Sequence, residues 1–149
     1  MEIERKFLVP DLSLLPKPVR SCRIVQAYLR ADREAVVRIR IIDAEAFLTV
    51  KGKSDASGCC REEFEYPIPK QDAEAMLSLC LPNRIEKTRL LIEHAGHRWE
   101  VDVFAAAHAG LVLAEIELSR VDESFVLPPW VGREVTGDTR YYNAYLINS

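Results

Sequence analysis

The run Trp99-Glu100-Val101-Asp102-Val103 alternates apolar and acidic side chains, and Val37-Arg38-Ile39-Arg40-Ile41 alternates apolar and basic ones. A period of two is the strand period, because successive side chains leave a strand on opposite faces. The same rhythm runs through most of the chain and predicts strands over 1–9, 22–31, 35–42, 46–52, 60–68, 84–93, 98–104 and 111–119. Asp32-Arg33-Glu34, Asp43-Ala44-Glu45 and His94-Ala95-Gly96-His97 read as hairpin turns between them. Gln71 to Cys80 breaks into helical spacing through Ala73, Met76, Leu77 and Cys80. Residues 122–127 read as a helical turn, and Asp138 to about Ile147 as a C-terminal helix with Asp138 as its cap. The fold class expected is mainly β (α+β). Its architecture would be an eight-stranded antiparallel closed barrel with a few flanking helices, closure removing the exposed edges.

Composition bounds the rest. The 149 residues read as a single domain, 1–149, long enough to bury its own core. With 29% charged and 48% hydrophobic residues the chain is neither disordered nor fibrous. A net charge of −3 argues against a general nucleic-acid or anionic-membrane binder. No apolar run reaches the roughly 18 residues of a membrane span, and Met1 is followed at once by Glu2-Ile3-Glu4-Arg5-Lys6, unlike a signal peptide. Cys22, Cys59, Cys60 and Cys80 contain no C-x-x-C spacing. They read as free thiols, and the expected location is the cytoplasm.

What alternates with the apolar residues is almost entirely charge. One face collects four acidic pairs, Glu2/Glu4, Glu63/Glu65, Glu100/Asp102 and Glu115/Glu117. It also collects three basic pairs, Arg38/Arg40, Lys51/Lys53 and Lys87/Arg89, with Lys6 and Arg61 beside them. Like charges two residues apart on a strand are about 7 Å apart, and repel by about 0.6 kcal/mol in water or about 2.4 at an effective dielectric of 20. These charges form either the solvent face of an ordinary sandwich or the lining of a barrel in which something neutralises them. Clustered carboxylates suit Mg²⁺ or Mn²⁺, and clustered Arg and Lys suit phosphate oxygens. Both together fit a polyphosphate bridged to metal, and metal-assisted phosphoryl transfer.

Glu2-Ile3-Glu4-Arg5-Lys6 resembles the N-terminal E-x-E-x-K signature of the CYTH superfamily, the triphosphate tunnel metalloenzymes. Val37–Arg40, Leu48–Lys53, Arg61–Glu65, Glu86–Arg89, Glu100–Phe104 and Glu115–Glu117 follow in the family's order. Gly132–Asp138 with Tyr141-Tyr142-Asn143 resembles its short bacterial members, the inorganic triphosphatases. The resemblance implies an eight-stranded tunnel that binds a triphosphate with a divalent metal. By position it implies Glu2, Glu4, Glu115 and Glu117 as metal ligands, assisted by Asp102 and Glu63. Lys6, Arg38, Arg40, Lys51, Lys53, Lys87 and Arg89 would grip the phosphates, joined by Arg61 on the same face. Arg133 sits where the family can supply a further cation from a lid. Water would attack the terminal phosphorus, activated by a second metal on the acidic side or by Tyr28 deprotonated with help from Lys87.

The expected activity is Mg²⁺- or Mn²⁺-dependent hydrolysis of inorganic tripolyphosphate. A thiamine triphosphatase, a class IV adenylate cyclase and a non-catalytic polyphosphate or nucleotide binder are the alternatives. The chain leaves little beyond the barrel to hold a thiamine or an adenine, and its acidic pairs are intact, which favours the first. The outward apolar stripe of Ile39, Ile41, Val50, Phe64, Val101, Val103, Ile116 and Leu118 must be covered by helices or buried in a homodimer.

Overall fold

A computed structural model describes residues 1–147. Its strands are β1 (Glu2–Leu8), β2 (Arg20–Ala31), β3 (Val36–Ile42), β4 (Glu45–Lys51), β5 (Cys60–Arg61), β6 (Glu63–Ile68), β7 (Ile85–His94), β8 (His97–Phe104) and β9 (Val112–Glu117). All pairings are antiparallel, in the order β5-β1-β9-β8-β7-β2-β3-β4-β6. The two ends of that order are consecutive in the chain. The segment 60–68 pairs with β1 through Glu2↔Arg61 and with β4 through Lys51↔Glu63, so one stretch of chain closes the sheet into a nearly complete barrel. Nine strands replace the eight expected because Glu62 leaves the ladder between β5 and β6, while its carbonyl still accepts from Gly52 N at 3.0 Å.

The helical expectations fare less evenly. The first helix, α1 (Lys70–Met76), tightens into a 3₁₀ turn at Leu77–Leu79, so it starts one residue early and ends short of Cys80. Asp138 does cap by accepting from Arg140 N, but it opens only a 3₁₀ turn at Thr139–Tyr141, and a four-residue helix, α2 (Asn143–Leu146), comes after it. The long C-terminal helix is therefore corrected to two turns broken at Tyr142, which takes an extended conformation at ψ 133°. The helical turn expected at 122–127 is irregular chain from residue 123 on.

Apolar residues on the outer wall find cover in two places. Ala73 of α1 sits over Ile39 and Ala46, with Met76 and Leu77 alongside. On the opposite side the irregular segment carrying Phe125 and Trp130 covers Val101, Ala114, Ile116 and Leu118. Trp99, wholly buried, is the centre of that side, with ring centroids 5.6 Å from Phe7, 5.8 Å from Phe125 and 5.8 Å from Trp130. Trp99→Ala is expected to cost about 3–5 kcal/mol, read as a lower urea midpoint, because the surrounding rings cannot collapse into the space. Phe64 and Tyr66 remain exposed on the outer face of β6.

A third apolar cluster lies inside. Tyr28, Val36, Ile85, Phe104, Leu113, Val135, Leu146 and Ile147 gather around one end of the lumen, where the C-terminal segment packs. The charged residues occupy the lumen above this plug.

Candidate functional site

Strand order sorts the lumen charges into two walls. Segment 60–68, β1, β9 and β8 are contiguous and carry Glu63, Glu65, Glu2, Glu4, Glu115, Glu117, Glu100 and Asp102. β7, β2, β3 and β4 are contiguous and carry Lys87, Arg89, Arg38, Arg40 and Lys51. Counting segment 60–68 as one strand, β9 and β3 stand four strands apart in either direction, so Glu115 and Glu117 lie across the barrel from Arg38 and Arg40. Between the walls is a cavity of about 310 Å³, lined by residues of both.

Charges at the seams between the walls neutralise one another. At one seam Lys51 Nζ reaches Glu2 at 3.0 Å and Glu63 at 3.4 Å. At the other, both oxygens of the buried Asp102 are taken: Lys87 Nζ lies 2.7 Å from Oδ2, and Arg89 donates from Nε at 2.8 Å and Nη2 at 3.0 Å. Burial alone would raise the Asp102 pKa, but Arg89 and Lys87 overrule it and hold the carboxyl far below its usual range. Lys6, from the acidic wall, pairs with Glu115 at 3.2 Å. That pairing offsets burial and brings the Glu115 carboxyl down to about 2.

The wall centres are different. Among the described residues neither Glu4 nor Glu117 has an ion pair. Burial first, then Glu115 and Glu2, push the Glu4 carboxyl up to about 8. Glu117 is likewise raised, by burial, Glu2 and Glu100. Opposite them, Arg38 Nε is buried without a partner among the described residues, although its Nη2 donates to Thr49 at 3.1 Å and lies 3.9 Å from Glu65. Burial, Arg38 and Arg89 pull the Arg40 guanidinium down to about 9. Each wall thus holds charge of one sign that its neighbours compensate weakly or not at all: Arg38 has only the long contact to Glu65, and among the described residues Arg40, Glu4 and Glu117 have no ion pair.

Most residues singled out in the sequence meet here. Glu2, Glu4, Lys6, Tyr28, Arg38, Arg40, Lys51, Arg61, Glu63, Lys87, Arg89, Glu115 and Glu117 all line the cavity. Asp102 does not; it lies buried behind Lys87 and Arg89. Lys53 is exposed, 3.8 Å from Glu34 in the turn between β2 and β3. Arg133 is exposed at the outer surface beside the Leu8 backbone. Neither is brought to the cavity. Arg61 turns its guanidinium to the Gly52 carbonyl at 3.1–3.2 Å, under the Tyr142 ring.

Two further residues of the site escape the sequence pattern. Gln26 and Asn143 tie the basic wall together: Gln26 Nε2 donates to Tyr28 Oη at 2.8 Å and to Asn143 Oδ1 at 3.1 Å. Gln26 Oε1 accepts from Arg40 Nε at 3.0 Å, and Asn143 Oδ1 accepts from Lys87 Nζ at 2.9 Å. Gln26 could have been found, since it precedes Tyr28 by two on the same strand face. Asn143 reaches the lumen only because α2 folds into the barrel end, which no local pattern shows. Lys87 is wholly buried, and burial together with Arg89 and Arg40 outweighs Asp102, pulling its ammonium down to about 7.

The chain matches the CYTH domain family over residues 1–142. It is 41% identical over 149 residues to an inorganic triphosphatase of Acetivibrio thermocellus, covering 99% of this chain and 94% of that protein. It is 38% identical over 152 residues to an inorganic triphosphatase of Nitrosomonas europaea, covering 97% and 95%. A crystal structure of an inorganic triphosphatase superposes with a TM-score of 0.71 at 34% identity, over 100% of this chain and 95% of that one. A Hippeastrum protein described as a putative adenylyl cyclase with a dominant triphosphatase activity shares the fold at a TM-score of 0.67. It is 18% identical, over 80% of each chain.

Proposed function

The chain belongs to the CYTH domain family, and from that premise we propose that it hydrolyses inorganic tripolyphosphate with Mg²⁺ or Mn²⁺, water attacking the terminal phosphorus. The observation that carries this reading is the undercompensated charge at the two wall centres. Arg38, whose buried Nε has no partner among the described residues, and Arg40 face Glu4 and Glu117 across about 310 Å³ of cavity. A chain of phosphates satisfies the basic wall and a divalent cation the acidic one. Arg38 and Arg40 offer forked donors to the phosphate oxygens, while Lys6, Lys51 and Arg89 add charge from the sides.

The acidic wall fits the cation. Its donors are carboxylate oxygens, the ligands hard cations take, and the raised Glu4 and Glu117 carboxyls mark a place short of positive charge. Glu2, Glu4, Glu115 and Glu117 would hold the ion, with Glu63 beside Glu2. When bound, it supplies charge neutralisation to the phosphoryl oxygens. Asp102 has a different role: it fixes Lys87 and Arg89 in place.

Lys87 and Tyr28 handle the proton. At about 7, Lys87 is half neutral near neutral pH, and an incoming polyanion favours its charged form, so it takes up a proton as substrate binds. Tyr28 Oη accepts from Gln26, a donor that also suits the phenolate, so Tyr28 gives its hydrogen to neutral Lys87 as substrate binds and then takes the proton that the attacking water loses. Tyr28→Phe is expected to lower kcat by about 10²-fold with KM little changed, the lower end for loss of a general base. An unchanged kcat would leave Tyr28 as a packing residue.

The choice of substrate is tested by product analysis on tripolyphosphate, thiamine triphosphate and ATP. Orthophosphate from tripolyphosphate as the preferred reaction is expected. Pyrophosphate with cyclic AMP from ATP would move the chain to the cyclase reading, and preference for thiamine triphosphate to the second alternative.

A further inference from the structure

Successive residues of a strand point to opposite faces, which ordinarily keeps adjacent thiols apart. Cys59 and Cys60 break that rule, and their Sγ atoms stand 3.2 Å from each other. The turn before them is responsible. Gly58 has φ +78°, and a Cβ there would fall 2.2 Å from Cα of Gly137, so the site admits only glycine. Cys59 therefore sits in a bend ahead of β5 and shares a side with Cys60. Asp55 joins them: a carboxylate oxygen and the two sulfurs all lie within 4.8 Å of one another. Ser57 Oγ donates to that carboxylate at 2.6 Å and touches Cys59 Sγ at 3.1 Å.

We propose that Cys59, Cys60 and Asp55 form a binding site for a thiophilic divalent cation, Zn²⁺ or Cd²⁺, distinct from the oxygen-lined acidic wall. Two thiolates and a carboxylate make a three-ligand set that leaves a fourth tetrahedral position to water. Zinc–sulfur bonds of about 2.3 Å set tetrahedral sulfurs about 3.8 Å apart, so the 3.2 Å pair has to open by only roughly half an ångström. Each thiol gives its proton to solvent on loading, and the cation takes its place. Softness separates this site from the lumen, since sulfur ligands select Zn²⁺ or Cd²⁺ over Mg²⁺ or Mn²⁺.

The position joins the site to the tunnel. Cys59 lines the cavity, and its carbonyl accepts from Glu4 N at 3.0 Å. Cys60 pairs with Ile3 and Arg61 with Glu2. A cation here would clamp the junction that closes the barrel beneath two residues of the acidic wall.

The test does not depend on the reaction. The protein is titrated with Cd²⁺ in saturating Mg²⁺, and thiolate-to-cadmium charge-transfer absorption is followed; oxygen ligands do not produce it. One such chromophore per chain is expected, with two protons released per Cd²⁺. Cys59→Ser and Cys60→Ser should each halve the absorption per bound Cd²⁺, one thiolate remaining, and weaken binding well over tenfold; Cys22→Ser and Cys80→Ser should change neither; and Asp55→Asn should weaken binding by at least about tenfold, the least that even an outer-shell partner is worth. No chromophore or no proton release in the wild-type protein would overturn the site, as would wild-type absorption and affinity in Cys59→Ser. Unchanged affinity in Asp55→Asn would overturn the three-ligand set.

Discussion

Glu4→Gln is expected to lower tripolyphosphate turnover by about 10²–10³-fold while making the metal-free protein more stable at pH 8. The loss comes from taking a charged oxygen donor out of the centre of the acidic wall. The gain comes from the same charge. The Glu4 carboxyl titrates near 8 in the fold, against an ordinary value of 4.5. Between those values the folded chain holds a proton that the unfolded chain has lost, so its contribution to stability falls as pH rises through that window. Gln is neutral at every pH and escapes the penalty, which is of order 2–4 kcal/mol. The melting temperature of the metal-free variant should then exceed wild type by roughly 5–10 °C at pH 8. At pH 4.5 the two should nearly coincide. Saturating Mg²⁺ should raise the wild-type melting temperature more than the variant's, because the cation competes with the Glu4 proton. A variant less stable at pH 8, or fully active, would contradict the placement of Glu4 in an undercompensated cation site.

Asp102→Ala is expected to destabilise the fold by about 3–5 kcal/mol, because it leaves Lys87 and Arg89 buried without their shared anion. The urea midpoint should fall with the slope unchanged. Turnover should fall too, since Lys87 would lose the attraction that keeps its ammonium as high as about 7. Mg²⁺ affinity separates this role from that of a ligand. It should stay close to wild type in Asp102→Ala and drop in Glu4→Gln. A stable Asp102→Ala protein with weakened Mg²⁺ binding would make Asp102 a metal ligand instead.

Much of the fold is legible in the chain because a strand has only two faces. Glu100 and Asp102 against Trp99 and Val101 already define a charged and an apolar side, and the seven like-charge pairs argue for a neutralising ligand. Alternation does not say which strands are neighbours. The division into acidic and basic walls depends on the order β1-β9-β8-β7-β2-β3-β4, set by long-range pairing between residues as far apart as Lys6 and Glu115. It also decides which charges pair at the seams, and so why Asp102 and Glu4, alike in pattern, differ in state. Lys53 shares the period of Lys51, but the chain leaves the ladder after Lys51, and the next residues run along the loop outward. Arg133 stands close in sequence to the C-terminal segment, but that segment folds as two short turns and carries Asn143 inward in its stead. The vicinal thiols are visible as a dipeptide; their convergence requires the contact of Gly58 with Gly137.

The central claim is that one lumen holds a triphosphate between opposed walls, and calorimetry of tripolyphosphate binding to wild-type protein and to Arg38→Met tests it most directly. Arg38 brings a buried Nε without a partner among the described residues, and a charged hydrogen bond is worth about 1.5–3 kcal/mol. The wild-type chain is predicted to bind a single tripolyphosphate in a salt-dependent manner, and Arg38→Met to bind it about 10–100-fold more weakly with an unchanged melting temperature or a higher one. Equal affinity in the two proteins, or no binding to either, would mean that the charged faces are not a triphosphate site.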